Sequence, residues 1–183
     1  MPFRRFLDRR RRENLSHDLY VALVEQARRP VFYTRFGVPD TVDGRFDMVV
    51  LHAFLLMRRL GEVEGARAGE ARALSQAVFD LMFADMDQNL REMGVTDMSV
   101  GAKVKRMAEA FYGRVAAYDA AMGEDDAALS RAVARNLYRE SPPSADMPAR
   151  MAAYLRRQAA HLAALPADGV LEGRVAFAPE EIA

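Results

Sequence analysis

The chain has 183 residues, 26 basic and 26 acidic side chains, and no cysteine. That length fits one well-buried domain rather than two, and the even balance of charge gives no global field that would favour DNA. Without cysteine, disulfides, thiolate metal sites and cysteine nucleophiles are excluded, and a reducing compartment is expected.

The first stretch is basic. Arg4, Arg5, Arg9, Arg10, Arg11 and Arg12, interleaved with Phe3, Phe6 and Leu7, define an arm over 1–14. It reads as a solvated terminus, as a peripheral contact with anionic lipid, or as a contact with ribosomal RNA. It lacks the apolar core of a secretory signal. A helical domain is expected over 15–165, opening at Ser16 or Asp18 with Leu19, Tyr20, Leu23, Val24 and Ala27 on its apolar side and ending at Pro30. The period then fails. Gly37, Pro39, Gly44, Asp40, Thr41 and Asp43 predict turns, and Phe32, Tyr33 and Phe36 predict that the connector over 31–45 is ordered. Asp40, Asp43 and Asp47 miss the spacing of a calcium loop and read as turn and cap formers.

Phe46 to about Leu60 is apolar nearly all round, with only Asp47, His52, Arg58 and Arg59 polar, which predicts burial of most of that helix. His52 reads as a hydrogen-bonded structural histidine. Past a charged break at 61–69, two long helical patterns run from Leu74 to Tyr118, joined at Met93-Gly94-Val95-Thr96-Asp97. The first pairs a Phe79, Phe83, Met86, Leu90, Met93 face with a second face of Leu74, Val78, Leu81 and Met82. Its narrow polar stripe holds Gln76, Asp80, Asp87 and Arg91, and this pattern places it at the centre of the bundle. The second presents Val100, Val104, Met107, Phe111, Val115 and Tyr118, with Lys103, Lys105, Arg106, Glu109 and Arg114 elsewhere around it. A helix through Leu129, Val133 and Leu137 stops at Ser141-Pro142-Pro143-Ser144. The last clear helix starts near Pro148 and carries Met151, Tyr154, Leu155, Leu162 and Leu165. In the tail, 166–183, only Val170 to Phe177 has strand character, either lying on the domain or pairing with another chain. The expected fold is all-α: a single-domain bundle of about six helices with an ordered loop at 31–45 and an extended C-terminal tail.

Little chemistry is legible. There is no glycine-rich phosphate loop and no serine on a nucleophile elbow, and the three histidines lie far apart in sequence. The best carboxylate pair for acid–base work would come from Asp80, Asp85 and Asp87. Asp80 and Asp87 share one polar stripe, as on any solvated helix face, while Asp85 falls beside Leu74 and Val78 and reads as a partner for an arginine or lysine. No catalytic residue, metal ligand or cofactor is assigned.

Ordered blocks of sequence say more. Leu23-Val24-Glu25-Gln26-Ala27-Arg28-Arg29-Pro30, Phe32-Tyr33 and the loop Gly37 to Asp47 come first. Leu51-His52, Arg58-Arg59-Leu60, Phe79-Asp80, Phe83 to Asp87, Leu90 to Val95, Val100-Gly101, Lys103 to Lys105 and Ala110 to Arg114 follow. Together, from about Tyr20 to Tyr118, they resemble the ubiquinol-cytochrome c chaperone family; the basic arm and everything past about Asp125 lie outside the resemblance. It implies an assembly chaperone of the cytochrome bc complex that binds newly made cytochrome b, with a small partner protein or a second copy of the chain, and near the ribosome. A bacterial version would act in the cytoplasm, at the cytoplasmic face of the inner membrane. The expected client site is an apolar dock rimmed by charge, with Asp40, Asp43, Arg45 and Asp47 shaping a loop and Asp80, Asp87, Arg91, Lys103, Lys105 and Arg114 on the rim. The alternatives are a peripheral membrane-surface adaptor, recruited by Arg4 to Arg12, and an enzyme using the carboxylates of the Leu74–Met93 helix.

Overall fold

The computed structural model describes residues 2–139 and 141–179, with side chains from residue 9 onward. Among these residues every regular element is a helix. The elements are α1 (Pro2–Ala27), α2 (Pro30–Thr34), α3 (Val42–Gly61), a 3-10 turn (Gly65–Arg67), α4 (Ala68–Glu92), α5 (Asp97–Met122), α6 (Asp126–Asn136), α7 (Met147–Ala164) and α8 (Ala167–Leu171). Six are long helices, as expected, while α2 and α8 have five residues each.

The hub is α3, not the Leu74–Met93 pattern that became part of α4. From Phe46 to Leu56 every residue of α3 is buried, and α1, α4, α5 and α7 all pack against it. The two-faced pattern on α4 is met by α1 and α3 on one side and by α5 on another, but Phe79, Leu81 and Met86 stay only half-buried. A helix without a polar stripe has to be covered all round, and only α3 meets that condition. Burying each of Leu51, Leu55 and Leu56 favours this arrangement by about 1.5–3 kcal/mol.

Two polar residues of α3 tie it to its neighbours. His52 is fully buried; its Nδ1 donates to Met48 O at 2.8 Å, so Nε2 accepts from Tyr154 Oη at 2.8 Å. Tyr154 Oη accepts in turn from Gln26 Nε2 at 3.1 Å, which links α1, α3 and α7. This is the structural histidine that the residues predicted. Arg59 donates to Leu165 O at 2.8 Å and ties α3 to the end of α7.

Three boundaries move. The first long helix opens at Pro2 instead of Ser16 or Asp18, so the basic arm is continuous with α1. Within the 31–45 loop, α2 forms behind Pro30, and α3 begins at Val42 because Thr41 caps it, accepting from Gly44 N at 3.1 Å. The strand character at Val170 to Phe177 divides: Val170 and Leu171 turn into the core on α8, and Gly173 (φ 78°) ends that helix. The remainder lies on the domain. Gln158 exchanges two hydrogen bonds with the backbone of Ala178, at 2.8 and 2.9 Å, and the Phe177 ring meets His52 edge-on at 5.3 Å.

Candidate client-binding cleft

At the turn end of the α4–α5 hairpin, a cleft of ≈ 990 Å³ opens between the first turns of α3 and the ends of α4 and α5 nearest that turn. Val42, Phe46 and Val49 line it from α3, Met86, Leu90 and Met93 from α4, and Met107 and Ala110 from α5. Gly94, at φ 83°, turns the chain straight from α4 into α5, so the two helices pack on each other and both border the cleft.

The rim is basic. Arg28, Arg45, Lys103, Arg106, Arg114 and Arg139 all line the cleft, against the single carboxylate of Asp43. Half of these cations are neutralised. Arg45 Nε donates to Asp40 Oδ1 at 2.6 Å, and this bond holds the Asp40 carboxyl below its usual range. Arg114 Nη2 lies 2.9 Å from Asp47 Oδ1, and Arg139 Nη2 lies 3.1 Å from Asp47 Oδ2 and 3.7 Å from Asp43 Oδ2. Arg28, Lys103 and Arg106 make no ion pair among the described residues.

Asp47 has no exposed surface, and burial pushes its carboxyl up to about 6, although Arg114 and Arg139 pull the other way. It sits one turn into α3, on the face that closes against α5. The Arg114 contact is close in charge but poorly aligned as a hydrogen bond, and Asp47 Oδ1, Arg114 Nε and Tyr118 Oη all lack hydrogen-bond partners among the described residues. A buried carboxylate beneath two guanidiniums fixes the wall of a cleft; it is not arranged as a general base beside a nucleophile.

The expected site residues divide between this cleft and other surfaces. Asp43, Arg45, Lys103 and Arg114 line it, Asp47 underlies it and Asp40 flanks it. Asp80 accepts from Gln76 on another face of α4. Asp87 and Arg91 pair with each other at 2.6 Å, and Arg91 also pairs with Asp97, so they close the hairpin tip instead of lining the cleft. Lys105 faces Glu109 at 3.9 Å, away from it. The carboxylates proposed for an enzyme therefore do not converge, and Asp85 accepts from Tyr20 Oη at 2.8 Å to join α1 to α4.

Sequence reasoning missed Arg28, Arg106 and Arg139. Arg106 could have been found, since Lys103, Arg106, Ala110 and Arg114 recur at steps of three and four along one face of α5. Arg139 could not, because it stands beyond the end of α6 with φ 51°, a conformation that only the folded surroundings impose. Of the basic arm, Arg9, Arg10, Arg11 and Arg12 are exposed on α1, with Arg9 held by Glu13 at 2.8 Å; the Arg4 and Arg5 side chains lie outside the described residues. Sixteen residue steps, nearly all along α1, separate Arg12 from Arg28, about 24 Å along the axis, so arm and cleft are distinct surfaces. No described helix is long and apolar enough to cross a membrane.

The family model for the ubiquinol-cytochrome C chaperone matches residues 34–177, a span that contains α3 to α8 and all of the cleft except Arg28. The chain belongs to that family. Its resemblance extends beyond the blocks between Tyr20 and Tyr118: residues past Asp125, including the α6–α7 pair and the tail, are part of the chaperone family's match. A crystal structure of the Cbp3 homolog from Brucella abortus superposes with a TM-score of 0.82 at 32% identity, covering 98% of this chain and 97% of that one. The ubiquinol-cytochrome c reductase complex assembly factor 1 of Drosophila melanogaster is 28% identical over 155 residues, 84% of this chain and 60% of the relative. Its Xenopus laevis counterpart is 27% identical over 162 residues, 88% of this chain and 79% of the relative. The chain thus spans about three-fifths of the fly relative's length.

Proposed function

We propose that this protein is an assembly chaperone for the ubiquinol-cytochrome c reductase (cytochrome bc) complex, and that it holds newly made cytochrome b by the cleft between α3, α4 and α5. The observation that carries the reading is an open, methionine-lined cleft with a charged rim in a member of this family. A client made of membrane helices presents apolar surface that must be covered until it is assembled, and flexible thioether side chains adapt to such surface. The work is binding, not bond making. Asp43, Arg45, Lys103 and Arg114, with Arg28, Arg106 and Arg139, form the rim; Asp40 and Asp47 hold two of its walls in place. A small partner protein or a second copy of the chain completes the binding surface.

The protein acts, in this reading, at the cytoplasmic face of a bacterial inner membrane, close to the ribosomes that make the client. Support for a bacterial setting comes from the Brucella neighbour, and support for surface attachment from the exposed Arg9 to Arg12 at the start of α1.

The test is photo-cross-linking in cells from position 107, in the cleft, with position 80, outside it, as the control. Cytochrome b should be captured from position 107 alone, and deleting the gene should lower the assembled cytochrome bc complex without changing its transcript. Capture from neither position, or unchanged levels of the complex, counts against the reading.

A further inference from the structure

The sign and the length of the cleft go further than its apolar lining. The α5 wall from Lys103 to Arg114 spans eleven residue steps, about 16 Å or three helical turns, and the facing α4 wall from Met86 to Met93 is about 10 Å. These dimensions match one helix lying in a groove, docked by side chains at i, i+3 or i+4, and i+7. The apolar floor formed by Phe46, Val49, Leu90 and Met107 would receive one stripe of such a helix.

The charges decide what flanks that stripe. Arg45, Arg114 and Arg139 already have carboxylates of this chain beside them. Among the described residues, Lys103 and Arg106 on α5 and Arg28 just past the end of α1 do not, and they come from two separate parts of the chain that border the same floor. Asp43, the one carboxylate in the lining, lies 3.7 Å from Arg139 Nη2. A guest with basic flanks would bring its cations against three others that have no counter-charge, whereas acidic flanks would supply the missing partners.

We infer that the cleft is selective for an amphipathic helix of about three turns whose apolar stripe is bordered by aspartate or glutamate. The inference rests on the client reading above and specifies which kind of client segment, or partner helix, is gripped.

Two fluorescein-labelled peptides of equal length and identical leucine–methionine stripes, one flanked by glutamate and one by lysine, are titrated with the full chain and followed by anisotropy. The glutamate peptide should bind about tenfold tighter or better, from three exposed charge contacts, and the ratio should shrink as salt is raised. Lys103→Glu with Arg106→Glu, both on an exposed or half-exposed helix face, should reverse the preference while leaving the circular dichroism spectrum unchanged. Met107→Asp should weaken both peptides. Equal affinities that Met107→Asp lowers alike would overturn the charge rule and leave the apolar grip standing; no binding of either peptide would overturn the inference as a whole. Vesicles containing phosphatidylglycerol form a third arm. If they displace the glutamate peptide and lose binding in the double variant, the site belongs to lipid and the inference fails. Retained glutamate preference with no cytochrome b captured from position 107 would strike the client reading instead.

Discussion

Arg139 Nη2 stands 3.1 Å from Asp47 Oδ2, so a residue with a left-handed backbone three positions beyond α6 is joined to a fully buried carboxylate on α3. Ninety-two residues of chain separate the two. The pair closes one end of the cleft, and the same carboxylate holds Arg114 at 2.9 Å from the α5 side. Two helices and the segment that follows α6 therefore meet at one buried charge.

That charge gives the protein a pH signature. Burial raises Asp47 to about 6, while the unfolded chain titrates it near ~3.9. Between those values the folded state holds the extra proton, so this group's contribution to stability falls as pH rises from about 4 to 6. His52 acts in the opposite sense. Burial lowers it to about 4 against ~6.5 unfolded, so its contribution is complete above about 6.5 and is lost as pH falls towards 4. The two largely cancel in the native protein. Asp47→Asn removes the compensation, and the urea-derived stability of that variant should drop by about 1–2 kcal/mol more than the wild type's between pH 7 and pH 5. Parallel pH profiles for the two proteins would contradict a raised Asp47.

Tyr118 offers a cleaner substitution. The residue is fully buried, its ring packs on Phe54 at 5.8 Å, and its hydroxyl has no hydrogen-bond partner among the described residues. Removing an unpartnered buried hydroxyl while keeping the ring relieves a desolvation cost. Tyr118→Phe should be neutral or more stable by about 1 kcal/mol, read as the shift in denaturation midpoint. A loss of more than about 1 kcal/mol would mean that the hydroxyl is paired.

Gly37 governs how the 35–41 connector meets the α6–α7 turn. Its φ is 65°, and a Cβ there would lie 2.2 Å from Pro143 Cγ. Gly37→Ala faces both backbone strain and collision with a rigid ring, so a thermal melt should show destabilisation by more than about 1 kcal/mol. The same change at Gly61, where a Cβ meets nothing within 4 Å, is the control and should leave the melting temperature within about 2 °C of the wild type's.

What was readable from residue order alone follows from periodicity and from local stereochemistry. Apolar steps of three and four marked the long helices, Gly94 marked the hairpin turn and Pro30 the end of α1, because each of these depends on neighbours within one or two turns. The isolated His52 in an apolar helix already implied a buried hydrogen bond, and the blocks between Tyr20 and Tyr118 already pointed to the family. Asp43, Arg45, Lys103 and Arg114, which line the cleft, look no different in sequence from Asp80, Asp87, Arg91 and Lys105, which do not. Periodicity says which face of a helix is apolar or charged, but not which other face lies opposite. Only packing decided that α3 and not α4 is the hub, that the first helix runs back to Pro2, and that Arg28 and Arg139, 111 positions apart, border one cleft. The physical reason is that a cleft exists where helices part, and the angle at which they part is a property of the whole bundle.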